Sequence, residues 1–207
     1  MKQCVIFCAG GFSGLAKPLD GDELVIAADG GLRHAQALGV TPHIILGDFD
    51  SLGQIPTGAE VYPVEKDDTD SMLAIKKGLA LGCTRFLLYG SLDGPRLDHT
   101  VANFQALHYL AEHGARGYLV GAEQIVTLIH NEAMAFPADW AGYLSVFCLG
   151  NNAKGVSIRG VKYEIENQAL TCAVPLGVSN QFVGKAASVE VTEGTLLLIW
   201  DRKNGLP

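Results

Sequence analysis

Short apolar runs alternate with helix-like segments along the first part of the chain, and this alternation limits the fold more than any other feature of the sequence. Residues 24–28 and 44–46 have the length and the unbroken hydrophobicity of buried strands. Between them, residues 32–38 have helical spacing and stop at Gly39. Strands that alternate with helices indicate a mostly parallel, Rossmann-like α/β sheet with flanking helices.

The pattern changes from about Asn131, where helical periodicity fades and short β-type runs take over. Turn sequences separate these runs, for example Gly150-Asn151-Asn152. We therefore expect two domains, an α/β domain at 1–130 and an all-β sandwich at 131–207. The β-type runs of the second domain are 143–149, 156–158, 187–191 and 196–200.

Composition disfavours several classes of function. The 207 residues are 48% hydrophobic and 18% charged, which is ample for a sizeable core. A net charge of -7 disfavours a general nucleic-acid binder, since such a protein needs a basic face. No apolar run approaches the roughly 20 residues of a membrane span, and the N-terminus resembles a first strand rather than a secretory signal. We expect a cytoplasmic protein that binds neither nucleic acid nor membranes.

Acidic residues follow successive strands at the point where each strand ends. Asp29 comes directly after 24–28, and Asp48 and Asp50 follow 44–46 through a glycine. The carboxyl ends of parallel strands meet at one edge of a sheet, so these carboxylates should gather there. Carboxylate oxygens are the ligands of hard cations such as Mg²⁺. Taken alone, the stretch 47–51 equally fits an Asp-rich turn that caps the next helix.

Two later loops combine acidic and basic residues before helical segments. Residues 66–70, Lys-Asp-Asp-Thr-Asp, precede a helical pattern at about 71–81, and residues 96–98, Arg-Leu-Asp, precede another at about 101–113. Lys and Arg are the side chains that bind phosphate. Together with the carboxylates and glycine turns, they suggest a magnesium-nucleotide site for phosphoryl-type transfer. Acidic residues at a helix start also favour the helix dipole without any ligand.

Four motifs follow one another along the chain: GDFDS at 47–51, KDDTD at 66–70, GPRLDHTVAN at 94–103 and GVSNQF at 177–182. In this order they resemble the motifs of the thiamin pyrophosphokinase family. Two further segments, ADGG at 28–31 and GVKYEIENQAL at 160–170, fit the same family. The resemblance runs from the first strand to nearly the C-terminus, and it departs from the family pattern at Pro95, where members usually carry a second glycine before the arginine.

The resemblance implies transfer of the diphosphate of ATP to the hydroxyl of thiamin, which gives thiamin diphosphate and AMP with Mg²⁺ as cofactor. It also implies a homodimer, with thiamin bound between one subunit's α/β domain and the other's sandwich. By motif position, the magnesium ligands are Asp48, Asp50 and Asp70, with Asp67 and Thr69 supporting. The implied catalytic residues are Asp70, Arg96 and Asp98, with Asp98 as an orienting base. The implied nucleotide contacts are Asp29, Lys66, Thr69 and Arg96, and the implied thiamin contacts are Tyr163, Ser179 and Asn180.

Chemistry agrees with this division of roles, because thiamin is cationic and suits an acidic protein with an aromatic wall. Without the other motifs, Tyr163 would fit a packed sandwich residue and Ser179-Asn180 a plain β-turn. Two other functions stay open. One is a magnesium-dependent hydrolase or kinase that acts on another small hydroxylated substrate, and the other is a non-catalytic thiamin or nucleotide sensor. The sensor is disfavoured because every acidic and basic motif keeps its charged residues.

Overall fold

The structure, a computed structural model, describes residues 2–207 and divides into two compact units, Met1–Ala122 and Glu123–Pro207. The sequence pattern predicts this division after residue 130 instead. The difference concerns one strand, Gln124–His130, which pairs antiparallel along its whole length with Thr195–Asp201. Its ladder partner lies in the second unit, and the strand belongs there too.

A parallel sheet forms the core of the first unit. The strands in the described part of this unit are β1 (Gln3–Phe7), β2 (Leu24–Ala28), β3 (Ile44–Gly47), β4 (Glu60–Val61), β5 (Arg85–Tyr89) and β6 (Arg116–Val120). Their order in the sheet is β6-β5-β1-β2-β3-β4, and all five neighbouring pairs run parallel. The central strand β1 is fully buried from Cys4 to Phe7, as expected for a strand with both faces covered.

Helices cover this sheet. Glycine at position 78 lets the second helix approach β5, because a Cβ there would lie 2.5 Å from the Phe86 ring. The third helix begins at Leu97, earlier than the predicted 101, because Arg96 is its N-cap residue and Asp98 lies in its first turn rather than in a loop. None of the helices within residues 2–207 has the length and hydropathy of a membrane-crossing segment. The α-helices of the described chain are α1 (Leu32–Ala37), α2 (Asp70–Ala80) and α3 (Leu97–Glu112).

The direction of strand addition reverses at β1. From β1 the chain adds β2, β3 and β4 on one side and then returns to add β5 on the other side. In open α/β sheets, ligands bind outside the carboxyl ends of the strands at such a reversal. The topology therefore predicts a ligand site among the loops that follow β1, β2, β3 and β5.

The second unit, whose residues are all described, consists of antiparallel strands: β7 (Gln124–His130), β8 (Ala133–Phe136), β9 (Tyr143–Cys148), β10 (Asn152–Arg159), β11 (Ile165–Thr171), β12 (Gly177–Gln181), β13 (Ala187–Glu190) and β14 (Thr195–Asp201). They form two sheets with strand orders β12-β9-β14-β7 and β11-β10-β13-β8. Between the sheets lie four aromatic rings, Phe136, Trp140, Phe182 and Trp200, with neighbouring centroids 5.3 to 5.9 Å apart. The predicted fold class, an α/β sheet followed by an all-β sandwich, is confirmed.

Three of these strands, β8, β11 and β12, are not predicted by the sequence pattern. Most of β11 is polar and exposed, and its pairing with β10 holds it in place. In β12 the register with β9 shifts between Gly177 and Asn180, and Ser179 has a φ of 56°. This is a β-bulge, in which an extra residue re-aims the strand.

Candidate functional site

A pocket of ≈ 490 Å³ opens at the carboxyl edge of the parallel sheet, where the topology directs ligands. The loops after β1, β2, β3, β4 and β5 line it, together with the first turns of α2 and α3. Asp67 and Asp98 are absent from the described lining. The structure brings together seven of the residues predicted for the site: Asp29, Asp48, Asp50, Lys66, Thr69, Asp70 and Arg96.

Three carboxylates converge at one side of this pocket. Asp29, Asp48 and Asp50 each offer an oxygen, and the three oxygens lie within 4.8 Å of one another. Asp29 is buried, and its Oδ1 accepts no hydrogen bond from any residue in 2–207. A buried carboxylate oxygen without a partner is costly, and hard cations take oxygen ligands of this type. The donor set therefore fits Mg²⁺.

The membership of this group differs from the predicted metal ligands. Asp29, which the motif position gave to the nucleotide, lies with Asp48 and Asp50, whereas Asp70 stands beside the group. Asp70 Oδ1 is buried without a hydrogen bond from the described chain and lies 3.3 Å from Lys66 Nζ. Burial raises the pKa of Asp70 above the ordinary carboxyl value, and the nearby Asp48 and Asp29 raise it further, against the attraction of Lys66.

Unusual backbone conformations bring the acidic loops together. Asp29 has a φ of 46° and Phe49 a φ of 60°, both in the left-handed region that costs a non-glycine residue roughly 1 kcal/mol or more. Gly47, between the two loops, would place a Cβ 3.1 Å from the Asp29 backbone. Phe49 is buried, so its ring anchors the turn that carries Asp48 and Asp50.

Lys66 lies among the carboxylates. Its Nζ is 2.5 Å from Asp48 Oδ2, and the two side chains are only 12% and 11% exposed. The hydrogen bond from Lys66 holds the pKa of Asp48 below its ordinary value. Burial opposes the charge of Lys66, but the hydrogen bond to Asp48 and the attraction of Asp70 outweigh it and raise the Lys66 pKa. In this structure an ammonium group supplies part of the positive charge that the acidic side of the pocket requires.

The first turn of α2 is held by side-chain hydrogen bonds. Thr69 is its N-cap and accepts from the Met72 amide at 3.2 Å, which satisfies one of the free donors of the helix start. Ser71 donates to Asn103 at 3.0 Å, and Asn103 donates to the Ser91 carbonyl at 2.8 Å. Sequence reasoning gave Ser71 and Asn103 no role, although Asn103 stands in the 94–103 motif and is buried.

Backbone contacts close the glycine loop after β1 against the loop after β5. The Gly10 amide donates to the Gly90 carbonyl at 2.9 Å, and the Gly11 amide donates to the Asp93 carbonyl. A Cβ on Gly10 would lie 2.6 Å from the Gly90 oxygen, so only glycine allows this approach. The Asp93 carboxylate also accepts from the Ala122 amide. These contacts fix the start of the loop that leads to Arg96.

Arg96 lines the pocket as a largely exposed fork paired with Asp98. Its Nη2 lies 2.6 Å from Asp98 Oδ2 and its Nε lies 3.2 Å from Oδ1. The side chains are 64% and 62% exposed. The hydrogen bond from Arg96 keeps the pKa of Asp98 below its ordinary value, which makes this carboxylate a weak base. Asp98 orients Arg96 in this structure.

The three residues predicted for thiamin lie together in the second unit. Asn180 is buried, accepts from the Tyr163 amide at 3.0 Å and donates to the Tyr163 carbonyl at 2.7 Å. Tyr163 is 61% exposed, so its ring is not a packed sandwich residue. The Ser179 amide donates to Ser145 Oγ at 3.0 Å. Ser179 and Asn180 form a bulged strand rather than a plain turn, and the Asn180 amide fastens the segment that presents Tyr163.

Comparison with known proteins extends over both units. The family model of the thiamin pyrophosphokinase catalytic domain matches residues 15–119, and that of the thiamin pyrophosphokinase vitamin B1 binding domain matches residues 129–196. The thiamine pyrophosphokinase of Bacillus subtilis (strain 168) is 26% identical over 204 residues, covering 92% of this chain and 95% of that protein.

Solved structures show the same fold. The crystal structure of thiamine pyrophosphokinase from Bacillus subtilis has a TM-score of 0.86 at 23% identity and covers 96% of this chain and 98% of that one. Thiamin pyrophosphokinase from Candida albicans has a TM-score of 0.72 at 15% identity and covers 96% of this chain and 88% of that one. The resemblance seen in the sequence motifs is confirmed. Since the catalytic-domain model alone matches about half of the chain and the second model matches most of the rest, this chain belongs to the thiamin pyrophosphokinase family.

Proposed function

We propose that this chain transfers the diphosphate group of ATP to the hydroxyl of thiamin, giving thiamin diphosphate and AMP. The observation that carries the proposal is the charge arrangement of the pocket in the first unit. Asp29, Asp48 and Asp50 form an oxygen-ligand group on one side, and Lys66 and Arg96 supply cations to the same space. A metal-bound triphosphate needs both kinds of partner, carboxylates for the metal and basic groups for the phosphates.

Mg²⁺ is the proposed cofactor, with Asp29, Asp48 and Asp50 as the residues that would hold it and Asp70 beside them. The buried Oδ1 of Asp29 supports this assignment, because this oxygen accepts no hydrogen bond from residues 2–207 and can serve as a metal ligand. When bound, Mg²⁺ supplies charge that offsets the negative phosphate oxygens.

Basic residues and a helix start provide the phosphate contacts. Lys66 is a point charge within reach of the acidic group, and Arg96 presents a planar fork that suits two phosphate oxygens at once. The first turn of α2, capped by Thr69, adds the positive end of a helix dipole to the same wall. Asp98 acts through Arg96, whose guanidinium it holds by two hydrogen bonds.

The thiamin hydroxyl needs alignment more than a strong base, because a loose transition state for phosphoryl-type transfer asks little of the nucleophile. This fits a site in which the pKa of Asp98 is lowered, since a weak base suffices. The reaction is then governed by how accurately the pocket holds the two substrates, and side chains that fix the walls of the pocket matter as much as those that touch the phosphates.

The second unit is the proposed source of the thiamin contacts. The match to the vitamin B1 binding domain includes Tyr163, Ser179 and Asn180. The Tyr163 ring is 61% exposed, with Lys162 Nζ 5.3 Å from its centroid, and an exposed aromatic ring can stack on a cationic ring. A homodimer, with thiamin at the subunit interface, is part of the proposal. Large exposed apolar side chains on the second unit support an interface there, namely Val174, Leu176 and Val178 at 58%, 63% and 48% exposure.

The test is AMP release from ATP and Mg²⁺ with and without thiamin, with the thiamin product identified by mass. Thiamin-dependent AMP and a product heavier by two phosphoryl groups are expected. Asp48→Asn should abolish this turnover, while Asp139→Asn, the same change at an exposed site in the second unit, should leave it intact. Phosphate release regardless of thiamin would instead indicate a hydrolase. Thiamin binding without turnover would indicate a sensor.

A further inference from the structure

A chain of hydrogen bonds crosses the pocket wall between α2 and the loop after β5. Thr69 Oγ1 and Ser71 Oγ lie 3.0 Å apart, Ser71 Oγ lies 3.0 Å from Asn103 Oδ1, and Asn103 Nδ2 lies 2.8 Å from the Ser91 carbonyl oxygen. Asn103 and Ser91 are 5% and 4% exposed. A buried amide whose oxygen and nitrogen are both engaged by different segments has a fixed position.

The direction of each hydrogen bond follows from the chemistry of the groups. The Ser91 carbonyl only accepts, so the Asn103 nitrogen must face it and the Asn103 oxygen must face Ser71. Ser71 has one hydroxyl proton, which goes to Asn103, and Thr69 must therefore donate to Ser71. Thr69 Oγ1 still accepts from the Met72 amide. Each hydrogen bond in the series therefore has only one possible direction.

The hydrogen-bond chain joins two walls of the pocket that come from different parts of the fold. One end lies at the start of α2, on either side of Asp70. The other end is Ser91, whose hydroxyl donates to the Leu88 carbonyl at 2.8 Å and so ties the loop to β5. This loop leads to Arg96, and the wall around Asp70 also holds Lys66. Asn103, on α3, connects the acidic wall to the arginine wall.

We infer that Asn103 is a positioning residue for diphosphoryl transfer, which rests on the function proposed above. Its amide fixes the separation of the Asp70 wall from the loop that carries Arg96. It acts through Ser71 and Ser91 rather than by contact with the reacting atoms. Misplacement by about 1 Å in such a site lowers a rate by roughly a hundredfold without removing binding groups. The signature of this role is a loss in kcat with little change in the KM for thiamin.

The experiment compares steady-state kinetics of the full chain carrying Asn103→Ala, Ser71→Ala or both changes. We expect Asn103→Ala to lower kcat by about tenfold or more, with the thiamin KM within about twofold of the wild-type value. Ser71→Ala should also lower kcat. The double variant should be no slower than Asn103→Ala alone, because all three variants interrupt the same series of hydrogen bonds.

The matched control is Leu107→Val, a loss of buried volume on the same helix without any polar change. It should lower the Tm while keeping kcat within about twofold of the wild type below the transition. If Asn103→Ala fails to fold, Ser71→Ala decides, because it leaves the bond from Asn103 to Ser91 intact.

Three outcomes would overturn the inference. The first is a wild-type kcat in Ser71→Ala, and the second is a double variant whose loss of kcat equals the product of the two single losses. The third is a loss of kcat in Leu107→Val as large as that in Asn103→Ala. A wild-type chain without thiamin-dependent turnover would overturn both this inference and the proposed function. Normal wild-type turnover with unaffected variants would overturn this inference alone.

Discussion

Replacing Lys66 by methionine tests the charge balance of the pocket. The change keeps most of the side-chain length but removes the ammonium that lies 2.5 Å from Asp48 and 3.3 Å from Asp70. A hydrogen bond to a charged group contributes roughly 1.5 to 3 kcal/mol, and this one is little screened because Lys66 and Asp48 are about nine-tenths buried. In the presence of a chelator we expect a loss of about 2 kcal/mol, or a Tm lower by about 4 to 8 °C for a chain of this length.

Magnesium should reverse this loss. A cation bound by Asp29, Asp48 and Asp50 replaces the missing charge, and a ligand present at a hundred times its Kd adds about 2.7 kcal/mol of stability. The variant should also bind Mg²⁺ more tightly than the wild type does, because no ammonium competes for Asp48. Thermal unfolding with chelator and with Mg²⁺, together with calorimetric titration of Mg²⁺, measures both effects.

The pH dependence of the loss follows from the two pKa shifts. The Asp48 pKa is lowered, so its stabilising contribution is complete above the ordinary carboxyl pKa and disappears as the pH falls through the folded-state value. The Lys66 pKa is raised, so its contribution is complete below the ordinary lysine pKa and disappears only as the pH rises through the folded-state value. The difference between variant and wild type should be largest near neutrality and shrink below about pH 4.

The control for Lys66→Met is Lys76→Met on α2. Lys76 pairs with Asp68 at 2.6 Å, but its side chain is 42% exposed, so the removal of this pair should change the Tm little. Equal losses for the two variants, or a loss at Lys66 that is the same with chelator and with Mg²⁺, would refute the reasoning.

Three further predictions concern the site, the first unit and the second unit. Asp70→Asn should remove turnover in the AMP assay while calorimetry still detects thiamin, and unaltered turnover would contradict any role for this carboxylate. Gly31→Ala should cost about 2 to 3 kcal/mol in chemical denaturation, because its Cβ would lie 1.9 Å from the Phe7 carbonyl oxygen of β1 and the backbone must shift. Phe136→Ala should cost about 3 to 5 kcal/mol by opening the aromatic core. Tryptophan fluorescence reports this last change selectively, since the chain has two tryptophans and both lie in that core.

The first unit could be predicted well from the sequence, because buried parallel strands are continuous apolar runs. Gln3–Phe7, Leu24–Ala28 and Arg85–Tyr89 are each nearly all apolar and nearly all buried, so sequence and environment agree. Asp29 follows Leu24–Ala28, and Asp48 and Asp50 follow Ile44–Gly47. Because these two strands are parallel, the shared pocket of the three carboxylates could be anticipated.

Other features depend on tertiary contacts that no local pattern records. Strand β11 has an exposed, polar sequence, and only its ladder with β10 makes it a strand. The ion pair of Lys66 with Asp48 and the hydrogen bond from Ser71 to Asn103 join positions that are 18 and 32 residues apart in the sequence. Tyr163 and Asn180 could be named from their motifs, but the three hydrogen bonds between the Asn180 side-chain amide and the backbone of Tyr163 and Gln181 depend on the folded position of β12.

The central position of β1 has a consequence for how the site comes into being. The pocket takes Asp29 and Asp48 from segments on one side of β1, and Ser91 and Arg96 from segments on the other. A partly synthesised chain that ends at β4 contains Asp29 and Asp48 but lacks Ser91 and Arg96. A ligand that contacts both walls of the pocket therefore has no complete site on it. Such a ligand stabilises the finished first unit and not its precursors. Protection of the first unit from proteolysis by such a ligand should therefore appear only in chains that extend through α3.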